Sequence, residues 1–436
     1  MTAHTVRLSL AIVIITALIL TISPKVIGVG IQSSAIDNIL NLIPPEAEYE
    51  FEIQQQSLQS GWFESESSLE LIYTPIGADT ITLVFDLEID HGPVLMTHKG
   101  PRLGLAYASI TPHIRNEVFE LAIADFPFEL PPVSMDLMAG FDQSLLIGIE
   151  IAPVDYSGEN GELNFGGVNG SFTSASDQSA EFIMTMDQLQ ANESSARFSF
   201  DMSGLEISTQ TERVSDILAP SNARFSIPSF ESSSPFPISV EDFSSNTSLS
   251  KAENDDLNFR QSINIEKIAS DLPVNSFNWE LEFQQLDPQV IALYYDLLAQ
   301  LQLELANNSN TTTPAVNQIG RELAVLAAQN PLTIKNYLHT DAYGGEHRAQ
   351  LEVNWQGLPD LDNIARMDIN EAIAALAFDI DITLDLQAVM SSPAAQLLDS
   401  YVQQGFLQLD NGRILVKASL KEGVLIINGE ESKISF

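Results

Sequence analysis

Six histidines stand among 59 acidic residues, so any acid–base or metal chemistry in this chain has to be sought around them. The pair Asp90-His91, inside "FDLEIDHGPV", sets a carboxylate beside an imidazole, the two groups of a general acid–base couple. His98 follows seven residues later, across Gly92-Pro93. Neither H-E-x-x-H nor H-x-H occurs, and no third ligand falls at a zinc spacing, so no metal site is expected. No serine sits in G-x-S-x-G, and the phosphate- and dinucleotide-binding glycine patterns are missing, so no cofactor is expected either. Carboxylate pairs at i,i+2, Glu64/Glu66 and Asp379/Asp381, could form a glycosidase-type couple if they shared a cleft.

The elements that carry these residues have a period of two. Ile81, Leu83, Phe85, Leu87 and Ile89 alternate with Thr82, Asp86, Glu88 and Asp90, the pattern of a half-buried antiparallel strand. His91 continues the apolar parity and is directed inward, while Asp90 points out. Side chains of adjacent strand residues diverge, so the two cannot form a dyad with each other. The expectation is a neutral imidazole at the edge of the core, bonded to backbone, with Gly92-Pro93 ending the ladder because proline has no donor. Glu64/Glu66 and Asp379/Asp381 lie on the faces opposite the apolar residues and are expected in solvent. No catalytic residue is assigned.

The net charge of −40 and the isoelectric point near 4.1 exclude a general nucleic-acid binder, which needs basic surface to neutralise phosphates. The chain has no cysteine, which excludes thiol catalysis, disulfides and thiolate metal sites. Residues 1–7 carry Arg7, and Leu8 to Ile31 is an apolar run of 24 residues, interrupted by Pro24 and Lys25. That length spans a hydrocarbon core of about 30 Å. The expectation is an uncleaved signal anchor over 8–31, with residues 1–7 in the cytoplasm and the rest periplasmic. Signal cleavage is the alternative.

Residues 32–46 read as a short amphipathic helix ending at Pro44-Pro45. Residues 47–225 read as a β-rich region, and 226–256 as a Pro/Ser-rich loop or boundary. Residues 257–436 read as a second β-rich region with a helical hairpin at 288–330 and a helix at 393–404. In that region Leu376, Phe378, Ile380, Ile382, Leu384 and Leu386 alternate with aspartates, and Asp410-Asn411-Gly412 and Lys421-Glu422-Gly423 are turn signals. The expected class is α+β: an anchor, then extended, curved antiparallel sheet with the helical hairpin and a short C-terminal helix packed against it.

"SGWFESESSLEL", "FDLEIDHGPV" and the ending "GFLQLDNGRILVKASLKEGVLIINGE" together resemble the DUF945, or YdgA-like, family of bacterial envelope proteins. The resemblance rests on Gly61, Phe63, Ser65, Asp90, His91, Gly92 and Pro93, and on Gly405, Gly423, Leu425, Asn428 and Gly429. It spans nearly the whole chain, which departs from the family in its more acidic composition and in Leu407. It implies an inner-membrane protein with its bulk in the periplasm and no established molecular function. The plan is similar, more distantly, to AsmA-like envelope proteins, some implicated in lipid transport; that is an analogy of fold.

Three functions stay open. One is a noncatalytic protein of envelope homeostasis or lipid handling, working through an apolar face with Phe85, Leu87, Phe378, Ile380 and Ile382; a closed core is the bland account of the same residues. The second is a periplasmic hydrolase using His91 or a carboxylate pair. The third is a module that binds an envelope protein through residues 288–330. The partners expected are the inner membrane, through the anchor, and a lipid or an envelope protein.

Overall fold

The computed structural model describes residues 51–432 apart from 75–79, 117–130, 160, 194–197, 234–236, 253, 272 and 307–313. The expected anchor at 8–31 and helix at 32–46 lie outside the described residues. No helix among the described residues is long and apolar enough to cross a membrane. The described chain is mostly antiparallel sheet with few helices, in two compact units. Among the described residues, one takes in those of 51–156, 165–186 and 210–217, and the other those of 157–164, 187–209 and 218–432.

The first unit begins with β1 (Phe51–Ser60), β2 (Glu64–Tyr73), β3 (Ile81–His91), β4 (Val94–Thr97), β5 (Gly100–Leu103), β6 (Ala106–Arg115), β7 (Val133–Ala139) and β8 (Leu145–Ile151). Of the next strands, β9 (Val154–Gly158) and β12 (Ala180–Glu193) are divided between the two units, β10 (Gly161–Phe165) and β13 (Phe198–Thr211) belong mostly to the second, and β11 (Val168–Ser174) lies wholly in the first. The ladder β1-β2-β3-β6-β7-β8-β11-β12 is antiparallel throughout, with β4 and β5 forming a separate hairpin. Its register places Leu87, Ile110, Met135 and Ile149 in one rank and Ile89, Ala108, Leu137 and Ile147 in the next. Ile89, Ala106, Ala108 and Ile110 form the buried core, with Phe85, Leu87, Met135, Leu137 and Ala139 packed against it.

The second unit's ladder contains β14 (Ser221–Ser232), β15 (Ile238–Lys251), β16 (Leu257–Ser270), β17 (Val274–Leu286), β18 (Leu332–Ala342), β19 (Gly345–Trp355), β20 (Leu376–Asp385), β21 (Gln408–Asp410), β22 (Arg413–Lys421), β23 (Val424–Ile427) and β24 (Glu430–Ser432). The expected loop at 226–256 is therefore mainly strand. Phe225, Ile227 and Phe230 face Ser245, Phe243 and Val240, and pairing steps past Pro228, where no amide can join the ladder. Phe225 packs edge-on against Phe243 at 5.7 Å, an interaction worth about 1 kcal/mol that overrides the loop-like composition.

Both long helices open on proline, α1 at Pro288–Ala306 and α2 at Pro314–Gln329, as suits a first helical position. Asp287 caps α1, accepting from Gln289 N at 2.7 Å, and its other oxygen accepts from Asn330 Nδ2 at 2.7 Å, tying the exit of α2 to the entry of α1. Trp355 Nε1 donates to Ala328 O at 3.0 Å, fixing α2 to β19. Three shorter helices follow, α3 (Ile369–Ala375), α4 (Leu386–Met390) and α5 (Ala395–Gln403). Leu386, read as the end of a strand, instead begins α4, because Asp385 accepts from Ala388 N at 2.9 Å and caps a helix there.

Replacing Asp287 by alanine removes a cap and leaves Asn330 without that acceptor. A loss of about 1–2 kcal/mol is expected in the urea transition of the second unit. An unchanged midpoint would show that the cap is idle.

Candidate functional site

The D-H-G-P residues form a crossing of backbones at one end of the first unit. His91 N donates to Phe63 O at 2.7 Å, Gly92 N to Leu105 O at 2.7 Å, and Leu105 N to Ala139 O at 2.8 Å. The Gly92-Pro93 peptide is cis. A Cβ on Gly92 would lie 1.8 Å from Gly104 O, so no side chain fits. Gly61 turns the chain from β1 to β2, its N donating to Glu64 O at 2.8 Å, and Phe63 beside it is exposed. The ladder stops at His91, as the proline requires.

His91 is buried at 4% exposure, and so is Ser65. His91 Nε2 lies 3.0 Å from Ser65 Oγ, and Nδ1 lies 3.5 Å from Trp62 O. A carbonyl only accepts, so the tautomer that serves both contacts carries its hydrogen on Nδ1 and takes the Ser65 hydroxyl hydrogen at Nε2. The main partner is thus a hydroxyl rather than backbone. Ser65 pairs with Ile89 in the ladder, which makes His91 its diagonal neighbour, within reach of a long side chain. Ser65 lies on the apolar parity of β2, but only the β2–β3 register shows that it meets His91. A serine and an imidazole at this distance have the types of a nucleophile and its base. Their burial leaves no approach for a substrate, and the contact on Nδ1 is a long one to a carbonyl, where a triad would place a carboxylate.

Asp90 lies on the other face, with Glu64 and Tyr107 as cross-strand partners. Partial burial raises its pKa, and Glu64 and Glu88 add to the rise while His91 opposes it. Tyr107 is 8% exposed, and burial pushes its phenol up against the effect of a hydrogen bond with His98. His98 Nδ1, on the β4–β5 hairpin, is 2.9 Å from Tyr107 Oη and 3.9 Å from Asp136 Oδ1. Nothing in the sequence pattern joined Tyr107 and Asp136 to His98, because the three come from separate elements. The contact holds the hairpin to the sheet.

The remaining motif residues belong to the second unit and serve turns. Glu422-Gly423 and Asn428-Gly429 have positive φ at both positions, as does Asn411-Gly412, the signature of tight hairpin turns. Asn428 also donates from its N to Lys417 O at 2.7 Å and from Nδ2 to Gly405 O at 2.9 Å, and its Oδ1 accepts from Lys417 N at 2.8 Å.

The apolar set divides between the units. Phe85 and Leu87 join the core of the first. Phe378, Ile380 and Ile382 lie on β20 of the second, at the centre of three parallel ranks. One rank runs Phe259-Phe283-Ile334-Val353-Phe378-Leu420, another Leu281-Asn336-Leu351-Ile380-Ala418, and the third Ile263-Trp279-Leu338-Ala349-Ile382-Val416. Of these side chains only Leu420 is buried; the others stay partly open to solvent. A cavity of about 630 Å³ opens on the opposite, polar face, where Glu280, Glu352, Asp379 and Asp381 meet Lys335 and Lys417. Asp381 and Asp379 pair there with Lys417 at 3.3 Å and Lys421 at 3.2 Å, exposed bridges that contribute little.

Two outcomes test this description of the motif. Gly92→Ala is expected to cost about 3 kcal/mol or more, since the clash is with backbone, whereas Ser65→Ala, which strands one buried nitrogen, costs about 1–3 kcal/mol. Equal thermal midpoints for the two variants would contradict it. The raised Asp90 pKa makes the folded state bind more protons than the unfolded one between the unfolded and folded values, so stability falls as pH rises through the folded pKa. Asp90→Asn should therefore stabilise the protein at neutral pH, with the gain vanishing below the ordinary carboxylate range. A gain independent of pH would refute this origin.

Residues 5–435 match the family described as "Bacterial protein of unknown function (DUF945)". No curated protein and no solved structure matches the chain. With the match covering nearly the whole sequence, the chain belongs to the DUF945 family of bacterial proteins of unknown function.

Proposed function

We propose that the protein is a noncatalytic, inner-membrane-anchored periplasmic protein that handles lipid along the apolar face of its second unit. The observation that carries this is the partial exposure of the ranks through Phe378, Ile380 and Ile382, in a sheet whose other face is acidic. Apolar surface left in water over many strands is costly, and an acyl chain laid on it gains about 0.8 kcal/mol for each methylene removed from water. The burial of His91 and Ser65 argues against the hydrolase. The membrane location rests on the apolar run at 8–31. Envelope homeostasis is the broader role this would serve.

Lipid extracted from the full chain purified from native membrane provides the test. Wild type is expected to retain phospholipid, and Ile380→Asp, at the centre of the face, to retain several-fold less, while Asp381→Asn on the other face changes nothing. Equal lipid in the wild type and a folded Ile380→Asp variant would overturn the proposal.

A further inference from the structure

From His91 to Asn116 the chain carries no acidic residue, although its net charge is −40. The β4–β5 hairpin lies within this stretch and has two unlike faces. Leu95 is fully buried on one. On the other, Val94 and Leu103 are cross-strand partners, with Met96 beside them, and their exposures are 47%, 69% and 69%. Lys99 at the tip and Arg102 on β5, the cross-strand partner of Leu95, are exposed, and no salt bridge to either occurs among the described residues. The tip is built rather than loose. Thr97 Oγ1 donates to Gly100 O at 2.7 Å and accepts from Lys99 N at 3.2 Å, and His98 is held by Tyr107. Exposed Trp62 and Phe141 occupy the neighbouring β1–β2 and β7–β8 connections at the same end of the ladder.

We propose that this hairpin docks on the surface of an anionic lipid bilayer, with Val94, Met96 and Leu103 entering the interface and Lys99 and Arg102 meeting headgroup phosphates. Exposed apolar side chains on one face of a hairpin, with a lysine at its tip and an exposed long-stemmed arginine next to Leu103 in sequence, have the chemistry of an interfacial anchor. The acidic remainder of the chain does not prevent contact, because charges beyond about 8 Å are screened at physiological ionic strength. The inference is independent of the apolar face of the second unit. It concerns a different surface and a headgroup-dependent contact.

The chain has no cysteine, so Leu103→Cys provides a single labelling site for an environment-sensitive fluorophore. The full chain is reconstituted in vesicles of zwitterionic lipid alone or mixed with phosphatidylglycerol, with Glu150→Cys, an exposed position on β8, as the control. On anionic vesicles the label at 103 is expected to become roughly tenfold less accessible to an aqueous quencher, while the control is unchanged. Molar salt, or Lys99→Glu with Arg102→Glu, restores access. The milder pair Lys99→Gln with Arg102→Gln serves if charge reversal disturbs folding. Equal quenching on both vesicle types overturns the proposal. So does shielding that persists after charge reversal, or that occurs in detergent without vesicles, which would mark a protein contact.

Discussion

Strand register is the constraint on which the rest of this structure depends. Side chains alternate along a strand, so a slip of one residue exchanges every apolar side chain for an acidic one. In the second unit the antiparallel pairings hold Phe378, Ile380 and Ile382 in line with apolar partners on the adjoining strands, and Asp379 and Asp381 in line with Glu352, Gln350, Ser419 and Lys417. A charge of −40 is tolerable because the carboxylates gather on faces and turns that water reaches. Among the described residues the fully buried large side chains, Leu95, Leu257 and Ile414, are few, and ladder hydrogen bonds and half-buried ranks make up most of the contacts between strands.

The ends of the ladders need different devices. At the exit of β3 a close backbone approach forces glycine at 92, and the buried Ser65–His91 pair fills the inner side of the crossing. At the C-terminal end, tight turns at Asn411-Gly412, Glu422-Gly423 and Asn428-Gly429 reverse the chain, and Asn428 adds three hydrogen bonds that tie its turn to neighbouring segments. Most of the residues that carry the family resemblance thus serve turns and backbone crossings. The surfaces that the fold leaves open include the partly exposed apolar ranks of the second unit and the β4–β5 hairpin of the first.

Much of this was legible from local pattern. The alternation from Ile81 to His91 put Asp90 and His91 on opposite faces, although Asp90 is half-buried beside Tyr107 rather than in open solvent; Pro288 and Asn330 bracket the helical pair, and Asp410-Asn411-Gly412 is the turn it looked like. Local composition misled at 226–256, where serine and proline suggest a loop while aromatic residues at strand spacing pair across β14 and β15. It also misled at Leu386, where strand parity continues but Asp385 can cap a helix.

By itself the sequence determined which residues share a strand face, where the chain reverses, and which classes of chemistry are excluded, because these follow from a period of two, from glycine and asparagine at positive φ, and from residue types absent or miss-spaced. Only the tertiary structure decided that His91 meets Ser65, that His98 reaches Tyr107 and Asp136, and that the hollow lies on the polar face. Each of these depends on which strands become neighbours and in what register, and that is set by the summed packing of side chains far apart in the chain.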